Sequence, residues 1–181
     1  MDEQARRKYL RARAGAKRRQ PLPADPAELP GTRGDGLYPH KTAVIHGDLR
    51  YSYHEFQARC RRLANALHKC GVGPGDTVSL MAPNVPAMLE AHYGVPMAGA
   101  VLNTLNYRLD AGAIRFILGH AETKVLITDR EFSPTVKKAL AGLDSPPRVI
   151  DIDDPQCSGA ELPGETDYET FLARGDPEFA W

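Results

Sequence analysis

The stretch Gly71-Val-Gly-Pro-Gly-Asp-Thr-Val-Ser-Leu-Met-Ala-Pro-Asn84 sets the grammar of the whole chain. Gly71 stops a helix, where a left-handed residue costs least in glycine. Gly73-Pro-Gly75-Asp76 makes a turn, and Thr77–Ala82 is an apolar run of strand length. Asn84 is placed to cap a second helix through Met88, Leu89 and His92, which Pro96 kinks or ends. The glycines invite a nucleotide-loop reading. Such a loop follows a strand and opens a helix, so that free amides face the phosphates. Here the helix comes before and the strand after, which rejects phosphate binding at this point. Gly31-Thr-Arg-Gly-Asp-Gly36 fails the same test, and no G-x-x-x-x-G-K-[ST] occurs.

The alternation extends in both directions. Thr42–His46 and Arg50-Tyr51 flank Gly47-Asp48 as a small hairpin. Ser52 caps the first helix, Glu55 completes a capping box, and Tyr51 with Phe56 forms a hydrophobic staple. Phe56, Cys60, Leu63, Ala64 and Leu67 follow at helical spacing and define a buried face. Downstream, Ala100–Asn103 is a second short strand, and Asp110 caps a helix carrying Ile114, Ile117 and Leu118. Lys124–Thr128 is a third strand, Ser133-Pro134 starts a helix that Gly142 ends, and Arg148–Ile152 is a fourth strand. Pro155–Gly164 is loop-like, and Tyr168–Arg174 reads as a short helix. Strands alternating with helices predict an α/β fold: a mostly parallel sheet flanked by helices, with a small hairpin at its start.

Residues 1–37 are different. Residues 1–19 hold eight Lys/Arg against Asp2 and Glu3, a balance of +6, so residues 20–181 carry −6 in a chain of net charge +0. Prolines and glycines follow, and this segment is expected to be disordered, with a short helix over residues 3–19 compatible with the pattern. The folded part is then 38–181. A neutral total gives no reason to expect nucleic acid as partner. The longest apolar or Gly/Pro run, Tyr93–Leu102, is too short for a membrane span. Three cysteines, Cys60, Cys70 and Cys157, do not make a disulfide framework and fit reduced thiols in a cytoplasm.

Several residues could carry chemistry, and each has a plainer explanation. Cys60, His68 and Cys70 match no common zinc spacing, and Cys60 lies on the buried face. Asp151, Asp153 and Asp154 lack a calcium loop around them and read as a solvated turn. His92 reads as a hydrogen-bonded core residue. No G-x-S-x-G elbow exists. The residues alone describe an incomplete α/β domain with no active site in view. A non-catalytic docking module and a Rossmann-type nucleotide-binding domain remain as alternatives.

Taken in order, Pro39–His46, Tyr51–Phe56, Gly71–Val78, Pro83–Pro86, Gly94–Val101, Asn103–Leu109 and Lys124–Asp129 resemble the N-terminal part of an AMP-forming acyl-CoA synthetase. The family is the acyl-adenylate-forming superfamily, and the resemblance is to its medium-chain and short-chain acyl-activating branch. It covers residues 38–181; residues 1–37 depart from the family, where an ordered helix precedes the equivalent of Tyr38.

The resemblance implies ATP-dependent activation of a carboxylic (fatty) acid, first to an acyl-adenylate and then to acyl-CoA, with ATP, Mg2+ and coenzyme A. The family grips the ATP phosphates with a Ser/Thr/Gly-rich loop ending in Pro-Lys-Gly, which residues 1–181 do not contain. The resemblance then implies a fragment, expected to be catalytically incompetent alone and to bind no cofactor by itself; whether a missing downstream polypeptide completes it stays open at this point. No catalytic residue and no metal ligand is carried over. One residue is: Arg108, in the Asn-x-Arg-Leu segment, which in related ligases approaches the nucleotide phosphate of coenzyme A. A guanidinium fork suits phosphate; a structural ion pair or a solvated side chain is the alternative there.

Overall fold

The computed structural model describes residues 36–154, 157 and 161–181. The expected helix over residues 3–19 lies outside these residues, as do residues 155, 156 and 158–160 of the loop that follows residue 154.

Strands β1 (Thr42–His46) and β2 (Leu49–Ser52) pair antiparallel across Gly47-Asp48, as the turn signal predicts. Helix α1 (Tyr53–Lys69) starts from the capping box: Glu55 N–H donates to Ser52 Oγ at 3.2 Å, and Ser52 N–H donates to Glu55 Oε2 at 2.7 Å. Two orphan amides are thereby satisfied reciprocally. The predicted face, Phe56, Cys60, Leu63, Ala64 and Leu67, is buried throughout. Gly71 follows the helix with φ +80°, the left-handed geometry its role required.

Five parallel strands form the sheet: β3 (Thr77–Met81), β4 (Val101–Thr104), β5 (Thr123–Asp129), β6 (Arg148–Ile152) and β7 (Thr166–Asp167), in the order β4-β3-β5-β6-β7. The four predicted strands are present, and β7 is an addition. It is two residues long, too short to show a period of its own.

Right-handed crossovers explain the two layers. Helix α2 (Pro86–Met97) connects β3 to β4 in one direction, whereas α3 (Ala111–His120) and α4 (Ser133–Leu140) run the other way and cover the opposite face. With α1 and α5 (Tyr168–Ala173), α2 buries Leu63, Leu67, Ala91, Val95 and Phe171 against Val78, Leu80, Val125, Ile127 and Ile150. On the other face α3 and α4 bury Ile114, Leu118 and Val136 against Met81 and Leu126. Alternation along β5 thus feeds both cores, with Leu126 facing one and Val125 and Ile127 the other. Each fully buried aliphatic side chain contributes about 1.5–3 kcal/mol relative to exposure.

Helix α2 departs from expectation at its start. Val85, not Asn84, is the N-cap, without any side-chain cap bond, and Asn84 is exposed. Pro86 is the physical reason. It holds Val85 in an extended conformation (φ −103°, ψ 165°) and itself has no N–H needing a cap. Gly94 lets α2 approach α1: a Cβ there would lie 2.8 Å from Leu63 Cδ2 and 2.9 Å from Cys60 O.

Candidate functional site

Open parallel sheets bind ligands outside the carboxyl ends of their strands, at the point where connections diverge. In this sheet that point lies between β3 and β5. The loop after β4 and the short 3-10 turn Arg130–Phe132 after β5 meet at this edge, because the Tyr107 and Phe132 rings stack with centroids 5.3 Å apart. Leu105 N–H donates to Leu80 O at 2.8 Å and fixes the root of the β4 loop. Arg108 stands exposed in that loop. Its backbone N–H donates to Asn106 Oδ1 at 3.0 Å, and among the described residues its guanidinium has no ion pair.

Asp129, the last residue of β5, is fully buried. Its Oδ1 accepts the Glu131 N–H at 2.9 Å and starts the 3-10 turn, while Oδ2 has no hydrogen-bond partner among the described residues. Burial pushes this carboxyl up, and the nearby Asp154 and Glu131 carboxylates add to the rise. A carboxylate oxygen of Asp129, one of Glu131 and the Cys157 Sγ lie within 4.8 Å of one another. Sequence reasoning did not group these three, since a strand end, a turn and a distant loop residue share no spacing rule.

The acidic run after β6 is not the solvated turn its composition suggested. Asp151 is 1% exposed; its Oδ2 accepts the Gly164 N–H at 2.6 Å and its Oδ1 has no partner among the described residues. Asp154 is 8% exposed and its Oδ2 lies 3.1 Å from His46 Nε2. Only Asp153 points outward, paired with Arg130. The chain returning through Gly164 covers Asp151, and the hairpin covers Asp154. The two contacts span 13 and 108 residues of sequence.

Cys60, His68 and Cys70 do not come together as ligands. Cys60 is core, as expected, whereas His68 is exposed with Nε2 3.0 Å from Ala98 O. His92 is also exposed, correcting its assignment to the core; its Nδ1 lies 2.8 Å from Met88 O within α2. It borders a groove of about 740 Å³ between the hairpin and α2, lined also by Val44, Ile45, Val85 and Leu89.

The family model for AMP-binding enzymes matches residues 34–177. The chain belongs to the AMP-binding enzyme family. It is 41% identical over 157 residues to a peroxisomal acetate/butyrate–CoA ligase of Arabidopsis thaliana, covering 80% of this chain and 28% of that one. It is 42% identical over 161 residues to an acetate–CoA ligase of Humulus lupulus, covering 82% and 28%. A fatty acyl CoA synthetase of Mycobacterium tuberculosis superposes with a TM-score of 0.68 at 25% identity, over 82% of this chain and 28% of its own. This AMP-binding enzyme chain therefore spans little more than a quarter of those relatives. The glycines at residues 71–75 serve the helix stop and turn read from the sequence, with Gly73 N–H donating to Asp76 Oδ2 at 2.8 Å. None of the described helices is long and apolar enough to cross a membrane.

Proposed function

We propose that this chain is the N-terminal portion of an acid–thiol ligase that activates a short-chain carboxylic acid to acyl-CoA through an acyl-adenylate. The carrying observation is the 41–42% identity to two ligases named for acetate and butyrate, maintained over four-fifths of the chain. Residues 38–181 are the enzyme portion, and residues 1–37 precede it. Cytoplasmic residence goes with the three free cysteines, although some relatives are named peroxisomal.

The chain's part is scaffolding and, through Arg108, contact with coenzyme A. An exposed guanidinium at the carboxyl edge of the sheet, without an ion pair among the described residues, suits a phosphate, which it can grip with two parallel N–H bonds. The residues do not fit a share in holding ATP and Mg2+. The acidic cluster at Asp129 includes a thiol, whereas Mg2+ demands an all-oxygen shell. The sequence contains no Ser/Thr/Gly-rich loop ending in Pro-Lys-Gly. No step of adenylation is therefore assigned to these residues, and the chain by itself does not form an adenylate.

Two measurements test the proposal. The purified chain, given ATP, Mg2+ and acetate or butyrate, releases no pyrophosphate. A chimaera in which residues 38–181 replace the matching portion of an acetate/butyrate–CoA ligase makes acyl-CoA. Pyrophosphate release by the chain alone would refute the first statement. A folded but inactive chimaera would refute the second.

A further inference from the structure

The geometry points to a metal site formed by Asp129, Glu131 and Cys157 at the carboxyl end of β5, one that takes a borderline divalent cation such as Zn2+ or Co2+. Three observations converge there. The ligand atoms already lie within 4.8 Å of one another. A tetrahedral ion bound at about 2.0–2.3 Å spaces its ligands by roughly 3.3–3.8 Å, so closing the site takes about 1 Å of movement. Asp129 has no exposed surface, and its Oδ2 is left without a partner among the described residues. A buried carboxylate oxygen so placed is costly unless something satisfies it.

Charge argues the same way. Asp129 and Glu131 lie beside Cys157, whose N–H donates to the Asp154 backbone carbonyl at 2.9 Å, next to the Asp154 carboxyl. The nearby Arg130 is engaged by Asp153, and His46 faces Asp154. The cluster therefore carries more negative than positive charge, which a divalent ion offsets.

Ligand type selects the metal. One thiolate with two carboxylates is too soft for Mg2+ or Ca2+ and suits Zn2+ or Co2+, with water completing the shell. Bound there, the ion ties Cys157 to the end of β5. The proposal stands independently of the ligase reading, because binding is measured on the 181-residue chain alone.

The test is Co2+ titration of the metal-free chain. One equivalent of Co2+ should produce a sulfur-to-cobalt charge-transfer band in the near ultraviolet. Cys157→Ser should abolish the band, and Cys70→Ser should leave it. Glu131→Gln alters an exposed side chain, so the fold is preserved, and should weaken Co2+ by more than about tenfold, the low end of what even outer-shell changes cost. Zn2+ should displace Co2+, and equimolar Mg2+ should not. A missing band, a band surviving Cys157→Ser, or displacement by Mg2+ would each overturn the assignment.

Discussion

Arg59 Nε lies 2.6 Å from Glu90 Oε1, joining α1 to α2 through a carboxylate that has no exposed surface. The same guanidinium grips Glu169 through Nη1 at 2.9 Å and Nη2 at 2.5 Å, and the Tyr168 hydroxyl donates to Glu90 Oε2 at 2.9 Å. One buried charge thus ties α5 to both helices beneath it. Removing a single partner from a buried pair leaves the other uncompensated, at about 3–5 kcal/mol. Arg59→Ala should therefore destabilise the chain by about that much in urea unfolding. Tyr168→Phe, which loses one hydrogen bond to a charged group, should cost about 1.5–3 kcal/mol. A change under about 1 kcal/mol in Arg59→Ala would show that Glu90 finds water instead.

Gly94 offers a steric test of the same helix pair. A Cβ at this position would meet Leu63 and the Cys60 carbonyl, neither of which can withdraw without separating α1 from α2. Gly94→Ala should cost about 1–3 kcal/mol, as overpacking does. Gly73→Ala is the control: nothing lies within 4 Å of the added carbon, and its φ is not positive. Its effect should stay within about 0.5 kcal/mol. Equal losses in the two variants would sink the packing argument.

Asp151 should make stability depend on pH. Burial pushes its carboxyl up, opposed by the Gly164 N–H bond; Asp153 and Asp167 raise it further and Lys137 lowers it. A carboxyl raised above its unfolded value holds its proton more tightly in the folded state. Its contribution is complete below the unfolded pKa of about 4 and is lost as pH rises through the folded value. Asp151→Asn removes this loss while keeping an oxygen for Gly164 N–H. The variant should gain on the native chain as pH rises from about 4 towards 7. Urea unfolding at several pH values reads the difference, and a constant offset would refute the linkage.

What the sequence discloses about this fold is what is local. Ser52 with Glu55, Asp110 with Ala113 and the φ of Gly71 all act within a few residues, and all are where the pattern puts them. Asn84 does not cap α2 because two local rules compete there, and Pro86 wins. Glu90 gave no sign of burial, since its partners lie 31 and 78 residues away. Asp154 meets His46 across 108 residues, and Asp129 meets Cys157 only through the sheet. Long-range polar pairs leave no periodicity. For the same reason the α/β class was legible while the strand order, and with it the edge where the candidate residues gather, was not.

Arg108 carries the remaining prediction, in the chimaera that completes the ligase. Its loop is held by the Tyr107–Phe132 stack and the Asn106 turn, not by the guanidinium, so Arg108→Ala should leave folding intact. Losing a charge-assisted bond to phosphate costs about 1.5–3 kcal/mol, which is tenfold or more in affinity. The KM for coenzyme A should rise by about that factor, and the KM for ATP should change much less. Replacing coenzyme A with a derivative lacking the nucleotide phosphate should abolish the difference between the variant and its parent. Equal increases in both constants would instead mean that Arg108 supports the edge as a whole and touches neither substrate.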